Sequence, residues 1–185
     1  MNMLKLTVDR RLKVTGKIIR KYARGKLLDI GCNDKGLSKH LSPEIQYSGI
    51  DYPKINLDED KLPYEKNSFD AVACLEVMEH LKDPTNLIKE IKRVVKPDGI
   101  IFISLPNSNH IYYRLKFLIG KPNDELPFGH QTKKHLHFPI REQSIAFIRK
   151  HFRIIRIKDI GMTFGLDSLF PRVLSYTTLF VLKKR

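Results

Sequence analysis

The run Asp29-Ile30-Gly31-Cys32-Asn33-Asp34-Lys35-Gly36 sets two glycines and two aspartates in a turn directly after the apolar segment Lys26 to Ile30. Asp51 closes a second apolar segment, Tyr47 to Ile50, 22 residues beyond Asp29. A glycine turn between a strand and a helix binds ligands through its backbone N–H groups, and three ligand classes compete for this one. A P-loop requires Lys after its second glycine, where Leu37 stands, so that reading is rejected. A dinucleotide fingerprint needs a glycine two positions after the first so that the backbone can approach a pyrophosphate; Asn33 stands there. Asp29 and Asp34 would also set negative charge beside that dianion, which makes the second reading weak.

A ligand carrying a cationic ammonium, a carboxylate and a sulfonium reverses the electrostatic argument, and S-adenosylmethionine is such a ligand. Asp29 then supports the loop or the ammonium, and the helix N-terminus favours the carboxylate. Asp51 offers two acceptor oxygens to the two hydroxyls of a ribose.

These residues need strands that end together, and the hydrophobic pattern supplies them. Leu12, Val14, Ile18, Ile19 and Tyr22 mark one face of a basic amphipathic helix within residues 1–26. Lys26 to Ile30 reads as a strand, Leu37 to Leu41 as a helix, and Tyr47 to Ile50 as a second strand, followed by an acidic, proline-punctuated loop through Tyr64. Phe69 to Leu75 is a continuous apolar run, the pattern of a strand covered on both faces. Asp83 and Pro84 read as the N-cap and first position of a helix whose face is Leu87, Ile88, Ile91, Val94 and Val95. Pro97-Asp98-Gly99 stops it before a strand at Gly99 to Leu105. After an irregular stretch from Asn107 to Phe138, regularity returns with a helix at Arg141 to His151 and strands at Arg153 to Ile160 and Thr177 to Lys183, for which antiparallel pairing is feasible. Strands alternating with helices predict an α/β fold with a mostly parallel, doubly wound sheet. The 185 residues and 42% hydrophobic content are read as one domain over residues 1–185, with residues 107–138 as a lid or acceptor-binding insertion.

The sequence resembles the class I S-adenosylmethionine-dependent methyltransferases, in particular the small-molecule-type domains that include the methionine biosynthesis protein W group. The resemblance lies in LLDIGCNDKGLSKHL (Leu27 to Leu41), YSGIDYPK (Tyr47 to Lys54), LPYEKNSFDAVACLEVMEHLKDP (Leu62 to Pro84) and IKRVVKPDGIIFISLPN (Ile91 to Asn107), with a looser match at HLHFPIRE (His135 to Glu142). It implies a Rossmann-like sheet of order 3-2-1-4-5-7-6 with the last strand antiparallel. It implies a cofactor site at Asp29, Gly31, Cys32, Asn33, Gly36, Asp51 and Tyr52, with Asp58 and Glu59 beside the adenine and Leu75 to Glu79, Glu76 included, near the methionine portion. The family pattern is Gly-x-Gly-x-Gly; this chain has Gly31, Asn33 and Lys35, with a glycine displaced to Gly36. Asn adopts a left-handed backbone readily and Lys less so, which predicts a reshaped loop.

Methyl transfer is an in-line displacement for which alignment supplies much of the rate, and a base helps when the acceptor is a hydroxyl or an acidic carbon. His80, directly after Glu79, and His110, His130, His135 and His137 in the irregular stretch are the candidate bases. Glu76 and Glu79 read as pocket-shaping groups and Cys74 as a buried strand cysteine. No metal site is expected: His135 and His137, two apart, would face opposite sides of an extended strand.

The net charge of +14 is uneven. Residues 1–26 carry nine Lys/Arg against one acid and residues 111–185 fifteen against five, whereas residues 27–110 hold ten basic and fourteen acidic groups. Basic flanks suit RNA, an anionic glycan, a lipid-linked phosphate or an anionic membrane surface. The leading expectation is methylation of a small or medium-sized acceptor. An RNA-directed enzyme is the less favoured alternative, because Cys74-Leu75-Glu76-Val77 replaces the Asn/Asp-Pro-Pro-aromatic motif that grips a flipped adenine. A non-catalytic, cofactor-binding regulatory protein is the third reading. No run of apolar residues is long enough to cross a bilayer, and Cys32 and Cys74 fit neither a disulfide framework nor a close metal pair, so the expectation is a cytoplasmic protein.

Overall fold

The structure, a computed structural model, describes residues 3–120, 136–161 and 169–185. The chain runs α1 (Met3–Tyr22), β1 (Gly25–Ile30), a 3₁₀ turn (Gly36–His40), β2 (Ile45–Ile50), β3 (Phe69–Leu75), a second 3₁₀ turn (Met78–His80), α2 (Thr85–Val94), β4 (Val95–Pro106), α3 (Ile111–Leu118), α4 (Arg141–His151), β5 (Phe152–Gly161), a single helical turn (Pro171–Leu174) and β6 (Ser175–Lys184). The six described strands form one sheet of order β2-β1-β3-β4-β6-β5. β1 pairs in parallel with β2 and β3, β3 pairs in parallel with β4, and β6 runs antiparallel to both β4 and β5. This is the expected Rossmann-like order without its outermost strand.

The missing strand has a physical explanation. Residues 51–68 carry two prolines and five carboxylates, which withhold ladder donors and offer no alternating apolar face. The loop is held instead by side chains of α2. Glu90 accepts the Leu62 N–H at 2.8 Å, and Arg93 donates to the carbonyls of Tyr64 and Leu62 at 2.6 and 2.9 Å while pairing with Glu90. The Arg93 guanidinium holds the Glu90 carboxyl below its ordinary pKa.

The sheet is buried on both faces because alternate side chains point to opposite sides. Leu27, Ala71, Ala73, Phe102 and Val181 meet Ile19 of α1 and Ala23 just after it on one face. Leu28, Val72, Cys74, Ile101 and Ile103 meet Leu87, Ile88 and Ile91 of α2 and Ile148 of α4 on the other. Each fully buried Val, Leu, Ile or Phe side chain among these contributes roughly 1.5–3 kcal/mol of transfer free energy. The continuous apolar run of β3 is therefore explained by two helical layers, and Cys74 lies fully buried within it.

Boundaries shift where local chemistry decides them. Asp83 Oδ1 accepts the Thr85 N–H at 2.9 Å just before α2, but the N-cap is Pro84 and not Asp83, so the helix begins one residue later than expected. Phe69 pairs with Val95 and Ala71 with Ile100, so Lys96-Pro97-Asp98-Gly99 bulges out of an otherwise continuous β4. The irregular reading of 107–138 is corrected at α3, which is apolar on nearly every side and has no buried residue, so no amphipathic period announced it. None of the described helices is long and apolar enough to cross a membrane.

Candidate functional site

β1, β2 and β3 end side by side, and the residues singled out by their chemistry gather at these ends. The chain leaves β1 at Gly31, whose φ is +73° and whose N–H donates to the Ile50 carbonyl at 2.9 Å. A Cβ at Gly31 would lie 2.3 Å from Val77 Cγ2, so glycine is required both by backbone conformation and by the close approach of the turn after β3.

Asn33 and Lys35 then both adopt left-handed conformations, with φ of 43° and 58°. Lys35 thus occupies the backbone region of the glycine it replaces. Its N–H donates to the Cys32 carbonyl at 2.7 Å, and its own carbonyl accepts from the Ser38 N–H and hydroxyl at 3.0 and 2.7 Å. The loop is thereby closed without the third glycine, and Gly36 sits within it, its N–H bonded to Asp34 Oδ1 at 3.0 Å.

The carboxylate of Asp51 faces this loop. Oδ2 accepts the Asn33 N–H at 2.6 Å and Oδ1 accepts the Tyr52 N–H at 2.8 Å, which fixes the group at the end of β2 while each oxygen keeps a further lone pair. Tyr52 itself turns outward and is 80% exposed. Asp29 is buried and accepts the Tyr47 hydroxyl at 2.8 Å. Burial raises its pKa to about 7, against the Tyr47 hydrogen bond that lowers it; the Asp51 charge adds to the rise and Arg11 opposes it. Burial and Asp29 in turn push the Tyr47 hydroxyl up, and burial with both aspartates raises the Cys32 thiol.

Glu76 has a φ of 56° and leaves β3 with its Oε1 accepting from Ser104 Oγ at 2.9 Å and from the Thr177 hydroxyl. Its Oε2 lies 3.4 Å from Arg11 Nη1. Arg11, Asp29, Gly31, Cys32, Asn33 and Leu75 line a small cavity of about 60 Å³ at the loop, with Val8 and Leu12 of α1 across it. The Nε of Arg11 is buried and meets no hydrogen-bond partner among the described residues. Sequence reasoning missed Arg11. Its signal was its place on the inward stripe of α1, four residues before the fully buried Thr15 and between Val8 and Ile18.

Asp58 is half-buried in the loop after β2, its Oδ1 accepting the Lys82 N–H at 2.8 Å, while Glu59 is exposed. Asp58 thus lies near the turn that follows β3, whereas the Glu59 N–H donates back to the Asn56 carbonyl at 3.2 Å. The histidines separate. His80 belongs to that turn, whereas His110 is buried as the N-cap of α3: its Nδ1 accepts the Tyr112 N–H at 3.1 Å and its ring stacks on Tyr176 at 3.8 Å. Burial lowers the pKa of His110, opposed by a bond with the Leu174 backbone. His137 Nε2 lies 2.9 Å from the Leu81 carbonyl. His130 and His135 lie outside the described residues.

A second, larger cavity of about 440 Å³ opens beside the first site, between Met78 and Glu79, Leu105 at the end of β4, and Phe138, Ser144 and Phe147.

A family model described as a methyltransferase domain matches residues 7–157. A ubiquinone biosynthesis O-methyltransferase of Colwellia psychrerythraea is 35% identical over 125 residues, covering 67% of this chain and 49% of that protein. The chain spans about half or less of the length of the curated relatives it matches. Among solved structures, a SAM-dependent methyltransferase from Archaeoglobus fulgidus superposes with a TM-score of 0.61 at 19% identity, over 96% of this chain and 93% of its own. A small RNA methyltransferase superposes with a TM-score of 0.68 at 16% identity, over 96% of this chain and 25% of its own. At these identities the structural likeness is one of fold.

Proposed function

Because the chain belongs to the S-adenosylmethionine-dependent methyltransferase-domain family, we propose that it transfers the cofactor's methyl group to a hydroxyl of a small-molecule acceptor. The observation that carries the reading is the Asp51 carboxylate, fixed by the Asn33 N–H at 2.6 Å and facing the left-handed loop that begins at Gly31. The acceptor class follows from the name of the relatives matched, ubiquinone biosynthesis O-methyltransferases.

The residues present fit the cofactor. Asp51 would hold the ribose hydroxyls, and Arg11, whose buried Nε meets no partner among the described residues, would hold the carboxylate. Asp29 balances the ammonium, with Tyr47 fixing its carboxylate. When bound, S-adenosylmethionine supplies a methyl carbon whose bond to the sulfonium sulfur breaks as the bond to acceptor oxygen forms, the electron pair returning to sulfur as a thioether. The chain's task is to hold both partners in line and to exclude water between them. Leu75, buried at the end of β3, and Val77, packed over Gly31, are the apolar groups on that side of the loop. The hydroxyl proton would pass to His80, which stands in the turn after β3 next to Glu79 of the larger cavity, or to water.

Titration with S-adenosylhomocysteine tests the reading. Saturable binding that is weakened by Asp51→Ala supports it; absence of binding by the wild-type protein refutes it.

A further inference from the structure

We propose that the face of the sheet covered by α1 carries a surface for a single-stranded nucleic acid, held by its phosphates along two rows of cations, one on α1 and one on β5 and β6. This surface is separate from methyl transfer: Arg11, on the same helix, turns to the cavity at the glycine loop. Helical spacing sets the first row. Residues 10–28 contain eight Lys/Arg and no carboxylate, and Lys13, Lys17, Arg20 and Lys21 are exposed at i, i+4, i+7 and i+8, along one side of the helix. These four span about 12 Å of the helix axis.

Strand register sets the second row. Arg156 stands opposite Val181 and Lys158 opposite Leu179 in the antiparallel pair of β5 with β6, and directly opposed residues share a face. Val181 and Leu179 pack in the cluster that holds Ile19 of α1, so Arg156 and Lys158 lie on the α1 side of the sheet. Lys183, two residues beyond Val181 on β6, shares that side. Asp159, the next residue after Lys158, points to the other side, where its two oxygens accept from Arg141 at 2.8 and 3.0 Å.

The two rows meet at Tyr22, at the end of α1. Its hydroxyl is in contact with Arg156, which lowers its pKa, and Lys21 Nζ lies 5.7 Å from the centroid of its ring. A cation from the helix and one from the strand therefore flank the same half-buried side chain, and the rows are continuous. Each phosphate that such a surface neutralises releases condensed counterions, so binding strengthens as salt falls.

Shape decides between polyanions. α1 is raised one layer above the sheet, and β5 is the edge strand, so the two rows form a step and not a plane. A flexible phosphodiester strand follows both levels, and a basic groove that tracks the backbone is the usual means of holding one. A bilayer surface is flat. Nor can α1 enter it as an interfacial helix, because its apolar side, with Ile19 fully buried, is already packed on the sheet.

The test is the fluorescence anisotropy of a labelled oligouridylate of about 20 nucleotides, titrated with the full chain between about 50 and 200 mM salt. Wild type is expected to bind it with log K falling against log salt at a slope of about −3 to −5, since each phosphate contact on a single strand contributes about −0.7. Lys17→Gln/Arg20→Gln/Lys21→Gln, confined to the exposed side of α1, should weaken binding about tenfold or more at the lower salt and flatten the slope by about 2. Arg156→Gln, in the strand row, should weaken it about threefold. Lys61→Gln/Lys66→Gln/Lys89→Gln removes the same charge from the loop before β3 and from α2, and should stay within about twofold of wild type. An unchanged Tm reports that each variant is folded, and S-adenosylhomocysteine affinity should be the same in all of them, so this surface and the methyl-transfer reading stand or fall separately. The proposal is overturned by absence of binding at about 50 mM salt, by equal losses in the two triple variants, by wild-type affinity in Arg156→Gln, or by tighter binding to vesicles of phosphatidylcholine and phosphatidylserine than to the oligouridylate.

Discussion

Arg11 Nη1 and Glu76 Oε2 stand 3.4 Å apart, joining the first helix to the turn that ends β3, beside the cavity at the glycine loop. Glu76 is itself held by Ser104 and Thr177, so the guanidinium is anchored on one side, while its buried Nε meets no partner among the described residues. A charge-assisted hydrogen bond contributes about 1.5–3 kcal/mol. Arg11→Ala is therefore expected to raise the dissociation constant for S-adenosylhomocysteine about 10- to 100-fold, and Arg11→Lys, which keeps the charge and loses the planar fork, should fall between. Calorimetric titration checks this; wild-type affinity in Arg11→Ala would remove the residue from the site.

Asp51→Ala removes the acceptor assigned to the ribose and, with it, the tether to the Asn33 N–H. A loss of about 10- to 100-fold in adenosyl-ligand affinity is expected. Asp51→Asn keeps one acceptor oxygen and should lose less. The comparison also separates the nucleoside from the loop: 5′-methylthioadenosine, which has the ribose and lacks the amino acid, should respond to Asp51→Ala and not to Arg11→Ala.

Much of this site was legible because its parts are local. The glycine turn, Asp29 and Asp51 follow apolar strands in sequence, and parallel pairing of β1 with β2 brings Asp29 level with Gly49 and Ile30 with Ile50, so that Asp51 arrives at the loop. Arg11 and Ser144 were not legible. Each lies on a helix where a polar residue reads as ordinary surface, and only packing against the sheet, tens of residues away, turns it inward. The outer strand was expected from family resemblance and lost to the Glu90 and Arg93 clamp, two residues whose i,i+3 spacing looks like any exposed helix pair. His110 shows the reverse case: a chemically capable side chain, read as a candidate base, that the fold uses to cap α3.

Gly31→Ala confronts both a left-handed φ of +73° and Val77 Cγ2 at 2.3 Å. Backbone strain and collision together are expected to cost about 2–4 kcal/mol of stability. Adding Val77→Ala relieves the collision but not the strain, so the double variant should recover part of the loss. Chemical denaturation of the four proteins of the cycle measures the coupling; additive effects would show that the two residues do not meet.

Lys35 holds a left-handed φ of 58° without a glycine's freedom. Lys35→Gly relieves the steric cost of that conformation but enlarges the conformational freedom of the unfolded chain, and the strain outweighs the entropy where the native φ is positive. A gain of about 0.5–1 kcal/mol is expected, read as an upward shift in Tm. The loop bonds through the Lys35 N–H and carbonyl survive the change, so adenosyl-ligand affinity should be unaltered or improved.

Asp29 makes the site sensitive to pH, and the direction follows from its pKa of about 7 in the folded chain, raised chiefly by burial. Between the ordinary carboxyl range near 4 and this value, the folded state binds a proton that the unfolded chain has released. Stability from this group is therefore full at low pH and is lost as pH rises towards 7, by up to about 1.4 kcal/mol per pH unit, with no further loss above it. Binding of a cationic ammonium favours the ionised carboxylate, so affinity for S-adenosylhomocysteine should move the other way, strengthening as pH rises from 5 to 7 and levelling off beyond. Asp29→Asn keeps an acceptor for the Tyr47 hydroxyl and cannot ionise. It should flatten both profiles, with a higher Tm than wild type at pH 8 and weaker ligand binding there. A wild-type affinity that is constant across pH 5 to 8 would show that the ammonium does not sense Asp29.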